Sequence, residues 1–550
     1  MLKRILLITI LAFLAGCSNG SAAPVETTLH LGGLGGKPTV INPLITNRTV
    51  STGLLDLIFN KLVRLNKDML PEPDLAESWD ISDDGITYIF HLRKGVRFHD
   101  GVEFTADDCK FTYELAANPA TGFAWCSYYT IVEEWEVIDK YTFQVILKEP
   151  YASFLSMMWV PIVPKHLLEG RDIKTAEFNQ HPIGTGPFRF SGFCHSDPAE
   201  AGEESLHKTG ETLRSAQGDP VGVILEANPD YYEGRPSIDK IIATGYDDPS
   251  KYWGAFMRGE NDIVFFLSKE DFEIAKRDQV FKTHTATNVL PYGIEYNPEH
   301  PFFKDKNIRK ALAYAIDTKE IIEKAEKGYA TPATGPFLPG YWSCNPEIKP
   351  IEYNPQKALA LLKEAGWELN KKHVLEKDNK EFRFNLLVNN EMRDVQMIAY
   401  LIYQHLFKIG IRMELVPYDT KKSGEEKYRQ MVREGGAYLF AFVIITGSGD
   451  VVPDYWHSER QPKAGLLWQH LNPEINRLLE LGEKTHKIDE RQKIYYEVHR
   501  LIAEEQPVTF LYFFYNLGAV NARFQNTDGV FTPLMPFWTI KDWRVSKNIR

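Results

Sequence analysis

Residues 71–114 carry the clearest alternation of apolar and polar positions in the chain. Trp79, Ile86, Tyr88, Phe90 and Leu92 fall at strand-like period two around Asp83-Asp84-Gly85, which predicts two strands joined by a turn. His99-Asp100-Gly101 signals a second turn, and Thr105-Ala106-Asp107-Asp108 predicts a helix start, with Thr105 as cap and the acids near the positive end. Elsewhere the period lengthens. Residues 292–317 read as a strand ending at Asn297, a proline-containing turn and a helix with Ile308, Leu312, Ala315 and Ile316 on one side. Asn354-Pro355 opens a helix running through Ala358, Leu359 and Leu362 to a stop at Gly366; residues 394–410 repeat the pattern, with Gly410 as the stop and a strand over 411–416. Further strands are expected over 141–147, 223–225 and 508–512, and helices over 52–62 and 489–505. Strands alternating with helices predict an α/β lobe.

At 550 residues the chain exceeds what one core usually supports, so two or three domains are expected. A composition of 43% hydrophobic and 25% charged residues allows large cores, and a net charge of −11 argues against a nucleic-acid surface. The N-terminus has Lys3-Arg4, an apolar run over residues 5–14 and then Leu14-Ala15-Gly16-Cys17. That run is too short for a transmembrane helix, which needs roughly 20 residues, and reads as a signal peptide (1–16) ending in a lipobox. Cys17 would then carry lipid and residues 17–27 would form a leash. The other cysteines, Cys109, Cys126, Cys194 and Cys344, contain no C-x-x-C pair, and buried or loop thiols are the expected state. Residues 194–220 are rich in Glu, Ser, Gly and Asp, with only Leu206 and Leu213 as large apolar residues, and predict a disordered insertion.

Over residues 71–114 the run P-x-LAESW, DG-x-x-Y-x-F-x-LR-x-G-V-x-FHDG, FTADD resembles the family 5 extracellular solute-binding proteins, the peptide- and nickel-type receptors of bacterial ABC importers. Gly184-Thr185-Gly186-Pro187-Phe188, Asn228-Pro229-Asp230-Tyr231-Tyr232, and residues 292–317 extend the likeness from about residue 29 to 524. The resemblance implies a periplasmic binding protein-like α/β fold (type II, cluster C), with two large lobes, a hinge and an extra small domain. In this numbering lobe I would comprise 28–59, 181–285 and 505–550, the extra domain 60–180, and lobe III 286–504. It also implies a cargo peptide held between closing lobes and delivered to an ABC permease and ATPase by a monomeric receptor tethered in the cell envelope.

The same resemblance points to site residues. Asp450 aligns with an aspartate that pairs with the cargo ammonium; Asp454 is its alternative, because the register of that loop is open by about a residue. Gly447 stands where family members often carry Trp, a change that enlarges a side-chain pocket. Asn47, Arg48 and Thr49, after Asn42-Pro43, are expected to line the cleft, as are Trp125, Tyr296 and Asn297.

Enzyme readings find little in the chain. There is no H-E-x-x-H, no G-x-S-x-G and no metal-ligand spacing among the 15 histidines; Pro38 after Gly36-Lys37 stands where a P-loop needs Ser or Thr. No catalytic residue, cofactor or metal is expected. The alternatives to peptide capture are a receptor for another small solute, such as a nickel chelate or a sugar, and a non-transporting surface sensor on the same fold.

Overall fold

The computed structural model describes residues 26–34, 40–45, 49–194, 222–297, 300–389, 393–418, 436–441, 456–460 and 472–546. Strand β1 (Thr28–Leu34) leads to helix α1 (Thr49–Ile58). Strands β2 (Ala76–Ile81) and β3 (Thr87–Leu92), helix α2 (Ala106–Ala117), and strands β4 (Val132–Asp139) and β5 (Thr142–Leu147) follow. The four strands form an antiparallel sheet in the order β2-β3-β5-β4. The alternation seen in the sequence sets its inner face: Tyr88, Phe90 and Leu92 are buried, as are Phe143, Val145 and Leu147 opposite them. Thr105 caps α2 as expected, with its N–H donating to Asp108 Oδ2 at 2.9 Å.

The chain then passes through β6 (Phe188–Cys194), β7 (Gly222–Ala227), β8 (Lys240–Tyr246), β9 (Ile263–Val264) and the long β10 (Phe281–Tyr296). Helix α3 (Lys306–Ala315), β11 (Arg383–Asn389), α4 (Arg393–Lys408), β12 (Arg412–Tyr418), β13 (Gly436–Ala441), α5 (Ile488–Glu505) and the long β14 (Val508–Asn521) complete the frame. One large sheet runs β12-β11-β13-β10-β14-β9-β1-β8-β7-β6. Strand β1 is parallel to β8, and β11 is parallel to both neighbours, as α/β units require.

The two largest hydrophobic cores lie along this sheet. One joins β1, α1, the four-stranded sheet and β7–β9 with Val520, Phe524 and Trp543; the other joins the Tyr292–Tyr296 end of β10 with α3, α4, β11 and Leu511 and Tyr512. Strand β14 contributes to both, with Val520 in the first and Leu511 and Tyr512 in the second, and it pairs along β10. That pairing shifts register between Thr287 and Pro291 and again between Tyr292 and Gly293.

Two expectations change. Helix α1 stops at Ile58 rather than reaching 62, and β14 extends nine residues beyond the expected end at 512. The helix stops where another segment takes over its end. Gly186 N–H donates to Ile58 O at 2.8 Å, and Lys61 and Leu62 then accept bonds from Leu75 and Ala76. Such proximity requires glycine, since a Cβ on Gly184 would sit 2.0 Å from Ile58 O. His99, from the turn preceding α2, locks the same loop: its N–H donates to Gly184 O at 2.8 Å, and its Nε2 lies 3.0 Å from Gly186 O. The thiols of Cys109, Cys126 and Cys344 are free. The segment expected to be a disordered insertion falls, after Cys194, outside the described residues.

Gly184→Ala is expected to lower the free energy of unfolding by about 2 kcal/mol or more, read from denaturant titration. A second expectation concerns pH. Burial pushes the His499 imidazole from 6.5 down to about 4, and its Nδ1 accepts the Asn345 N–H at 3.2 Å. Between pH 6.5 and 4 the unfolded chain binds the proton that the folded chain refuses. Stability from this site is thus full above 6.5, falls by up to about 3 kcal/mol as pH drops to 4, and levels off below. His499→Asn, which keeps the acceptor without the titration, should flatten that part of the stability profile.

Candidate functional site

A cavity of about 520 Å³ opens beside the C-terminal end of β1, the end of a parallel strand at which open α/β sheets place their ligands. Its walls come from segments distant in sequence: Gly32 and Gly33, Pro43 to Ile45, the last turns of α1, Trp125, Trp159, Phe265 and Phe266, and the C-terminal Met535 and Phe537. Close contacts shape it. A Cβ on Gly32 would lie 2.5 Å from the Tyr252 ring, whose hydroxyl donates to Gly32 O and accepts the Phe265 N–H at 2.9 Å. Gly53 leaves room for Phe537, whose ring is 3.1 Å from where a Cβ would stand. Buried Asn42 anchors the loop before α1 by donating to Asn179 Oδ1 at 2.8 Å.

Trp125 stands at the mouth with 47% of its surface exposed, stacked on Tyr128 at 5.6 Å between ring centres. Phe266 is 46% exposed and holds a left-handed backbone, φ 57°. For a phenylalanine this costs about 1–2 kcal/mol. The neighbours impose it, because Phe265 N–H is tied to Tyr252 and Leu267 N–H to Leu517 O. Met535 has the same backbone sign, φ 46°, and lines the same space. Exposed aromatic surface held in place at the cost of backbone strain offers stacking area with little ordering left to do.

The polar part of the wall is a pair. Lys61 Nζ lies 2.7 Å from Asp56 Oδ1, both side chains mostly buried. Behind it is a buried network: Asp74 accepts from Asn60 Nδ2 at 2.9 Å, from the Tyr232 hydroxyl at 2.6 Å and from Lys61 N–H at 2.9 Å. Burial raises the Asp74 pKa, opposed by the Arg64 guanidinium and these donors.

Of the residues expected at the site, Trp125 lies on this cavity. Thr49 begins α1, close in sequence to the wall residues Gly53 to Asp56. Asn47, Arg48, Gly447, Asp450 and Asp454, as well as Cys17, lie outside the described residues. Tyr296 and Asn297 sit in the second core's sheet and do not line this cavity: the Tyr296 hydroxyl is paired with Thr509 Oγ1 at 2.7 Å, and Asn297 N–H donates to Gly436 O. Sequence reasoning missed Asp56, Lys61, Trp159, Phe266 and Phe537, which no local pattern marks.

Residues 71–201 and 213–464 match the family described as bacterial extracellular solute-binding proteins, family 5, middle region. The chain belongs to this family. Its members are solute-binding proteins of ABC transporters rather than enzymes. The oligopeptide-binding protein AppA of Bacillus subtilis is 28% identical over 569 residues, covering 98% of each chain. Its structure in complex with a nonapeptide matches with a TM-score of 0.67 at 27% identity, covering 95% of this chain and all of that one. NikZ from Campylobacter jejuni, solved with Ni(L-His), matches with a TM-score of 0.70 at 25% identity and the same coverage. Heme-binding protein A of Haemophilus influenzae is 27% identical over 82% of this chain and 80% of its own. Among the described residues no helix is long and apolar enough to cross a membrane.

Trp125→Ala should weaken cargo binding about tenfold or more in calorimetry, with the melting temperature unchanged because the ring is half exposed. Phe266→Gly should bind several-fold more weakly while being as stable as the parent, since glycine relieves the φ 57° backbone.

Proposed function

We propose that this protein is a lipid-anchored peptide receptor that captures oligopeptides between two lobes and hands them to an ABC permease. The observation that carries the reading is the open, aromatic-lined cavity at the end of β1, on a chain similar to AppA over 98% of its length. A receptor for many peptides must bind what they share, the main chain and the charged amino end. In this reading the opposite lobe brings Asp450, or its alternative Asp454, to the cargo ammonium, where a carboxylate in a closing, drier cleft makes a strong charge-assisted bond. Gly447 leaves space beside it, and Asn47, Arg48 and Thr49 complete the rim ahead of α1.

The lobes follow the two cores, with 60–180 as an extra module packed on the first, and they pivot where β14, paired along β10, passes between the cores beside the Thr287 to Pro291 register shift. Cargo touching both walls binds the closed arrangement better than the open one and so drives closure. Cys17 carries the lipid that keeps the receptor at the membrane beside its permease. A second cargo class, a flat apolar or chelated solute, is favoured by one feature: Trp125, Trp159 and Phe266 line one cavity.

Mass spectrometry of the natively purified protein should release a ladder of short peptides; recovery of a chelate or a flat aromatic solute instead would transfer the reading to the second class. Asp450→Asn should weaken peptides with a free amino end about tenfold or more and leave their N-acetylated forms within twofold. Equal loss for both would make Asp450 a structural residue.

A further inference from the structure

The Asp56–Lys61 pair is hard to explain as structure alone. Asp56 occupies the last turn of α1, where the helix dipole disfavours an acid, and Lys61 follows the helix end. Both line a cavity whose nearest neighbours, Ile45, Leu54, Leu55 and Trp159, are apolar. Two apolar residues would pack there without the cost of removing two charges from water. The described residues give the Asp56 carboxylate and the Lys61 ammonium no polar partner besides each other, so the carboxylate keeps open acceptor positions and the ammonium open donors. The base of the lysine is rigid. Its N–H donates to Asp74 Oδ2 at 2.9 Å, its C=O accepts the Leu75 N–H at 3.1 Å, and it bridges to Pro161.

A close pair of opposite charges has little net field, so it draws in neither a cation nor an anion strongly, whereas a neutral group carrying a donor and an acceptor side by side gains from both charges. An extended peptide presents such a group at every residue, whose N–H and C=O point to the same side of the strand. We propose that Asp56 and Lys61 form a main-chain recognition site, Asp56 accepting the N–H and Lys61 donating to the C=O of one residue of an extended peptide. The charged pair stands in for one residue of a neighbouring β-strand, and that residue's side chain is left to the aromatic wall. The site is indifferent to side-chain identity at its own contact. This inference rests on the peptide reading above.

The test screens peptides of three to nine residues against the full-length protein by calorimetry, and then takes the tightest binder as an ester series in which each internal N–H is replaced in turn by oxygen. The parent protein should show one position at which the ester costs fivefold or more. In Asp56→Leu/Lys61→Met the peptide should bind at least tenfold more weakly and that position's penalty should vanish; Asp56→Ala/Lys61→Ala, which also removes both polar ends, provides the same readout if the first pair fails to fold. Binding within twofold of the parent, or a loss that leaves the ester profile unchanged, overturns the inference while leaving peptide capture intact. Failure of every peptide to bind the parent protein overturns both.

Discussion

The close packing of residues 184–186 against the end of helix α1 is the contact on which the wall of the aromatic cavity depends. Ile58 O receives the Gly186 N–H, Asn60 Oδ1 receives the Thr185 hydroxyl at 3.1 Å, and His99 closes the loop from the other side. Immediately beyond the helix end, Asp74 collects Asn60, Tyr232 and the Lys61 N–H into one buried carboxylate site. Buried polar groups that are fully paired hold a unique geometry, because any displacement leaves a donor or acceptor unsatisfied. The direction in which α1 presents Asp56 to the cavity, and the point from which Lys61 reaches back, follow from these bonds.

On this rigid base stands the cavity wall. Aromatic rings from four separate segments supply area, and a single ion pair supplies directed polarity. In the peptide reading proposed above, stacking area would tolerate many side chains, while a fixed donor and acceptor would read what all peptides have in common. Two of the non-glycine residues with left-handed backbone, Phe266 and Met535, stand on this wall, held there by surrounding structure. Strand β14 reaches from this wall's core to the second one, paired with β10 except where the register shifts between Thr287 and Pro291 and between Tyr292 and Gly293.

Much of the architecture was legible from residue order. Period two over residues 86–92 marked a half-buried strand, Thr105 marked a helix start, Asn354-Pro355 and Gly366 bracketed a helix, and all three stand as read. The misreadings share a cause. Helix α1 was expected to continue to 62, but tertiary bonds from Gly186, Leu75 and Ala76 claim the carbonyls of Ile58, Lys61 and Leu62. Strand β14 was expected to stop at 512; its partner β10 supplies the pairing that carries it on to Asn521. The candidate site was legible only where a motif marked it: Trp125 was found in the sequence, whereas Phe266 was not, because nothing in a sequence announces a left-handed phenylalanine.

Local chemistry by itself determined the elements, the α/β class, the glycine loop that must approach another segment, and membership of a solute-binding family, since period, capping and turn residues act over a few positions and survive as text. The tertiary structure alone decided which segment that glycine loop touches, which aromatic residues converge on one cavity, and that Asp56 and Lys61 meet there as a pair. These depend on contacts between residues separated in the chain by up to several hundred positions, whose energy exists only once the sheet and its two cores have brought them together.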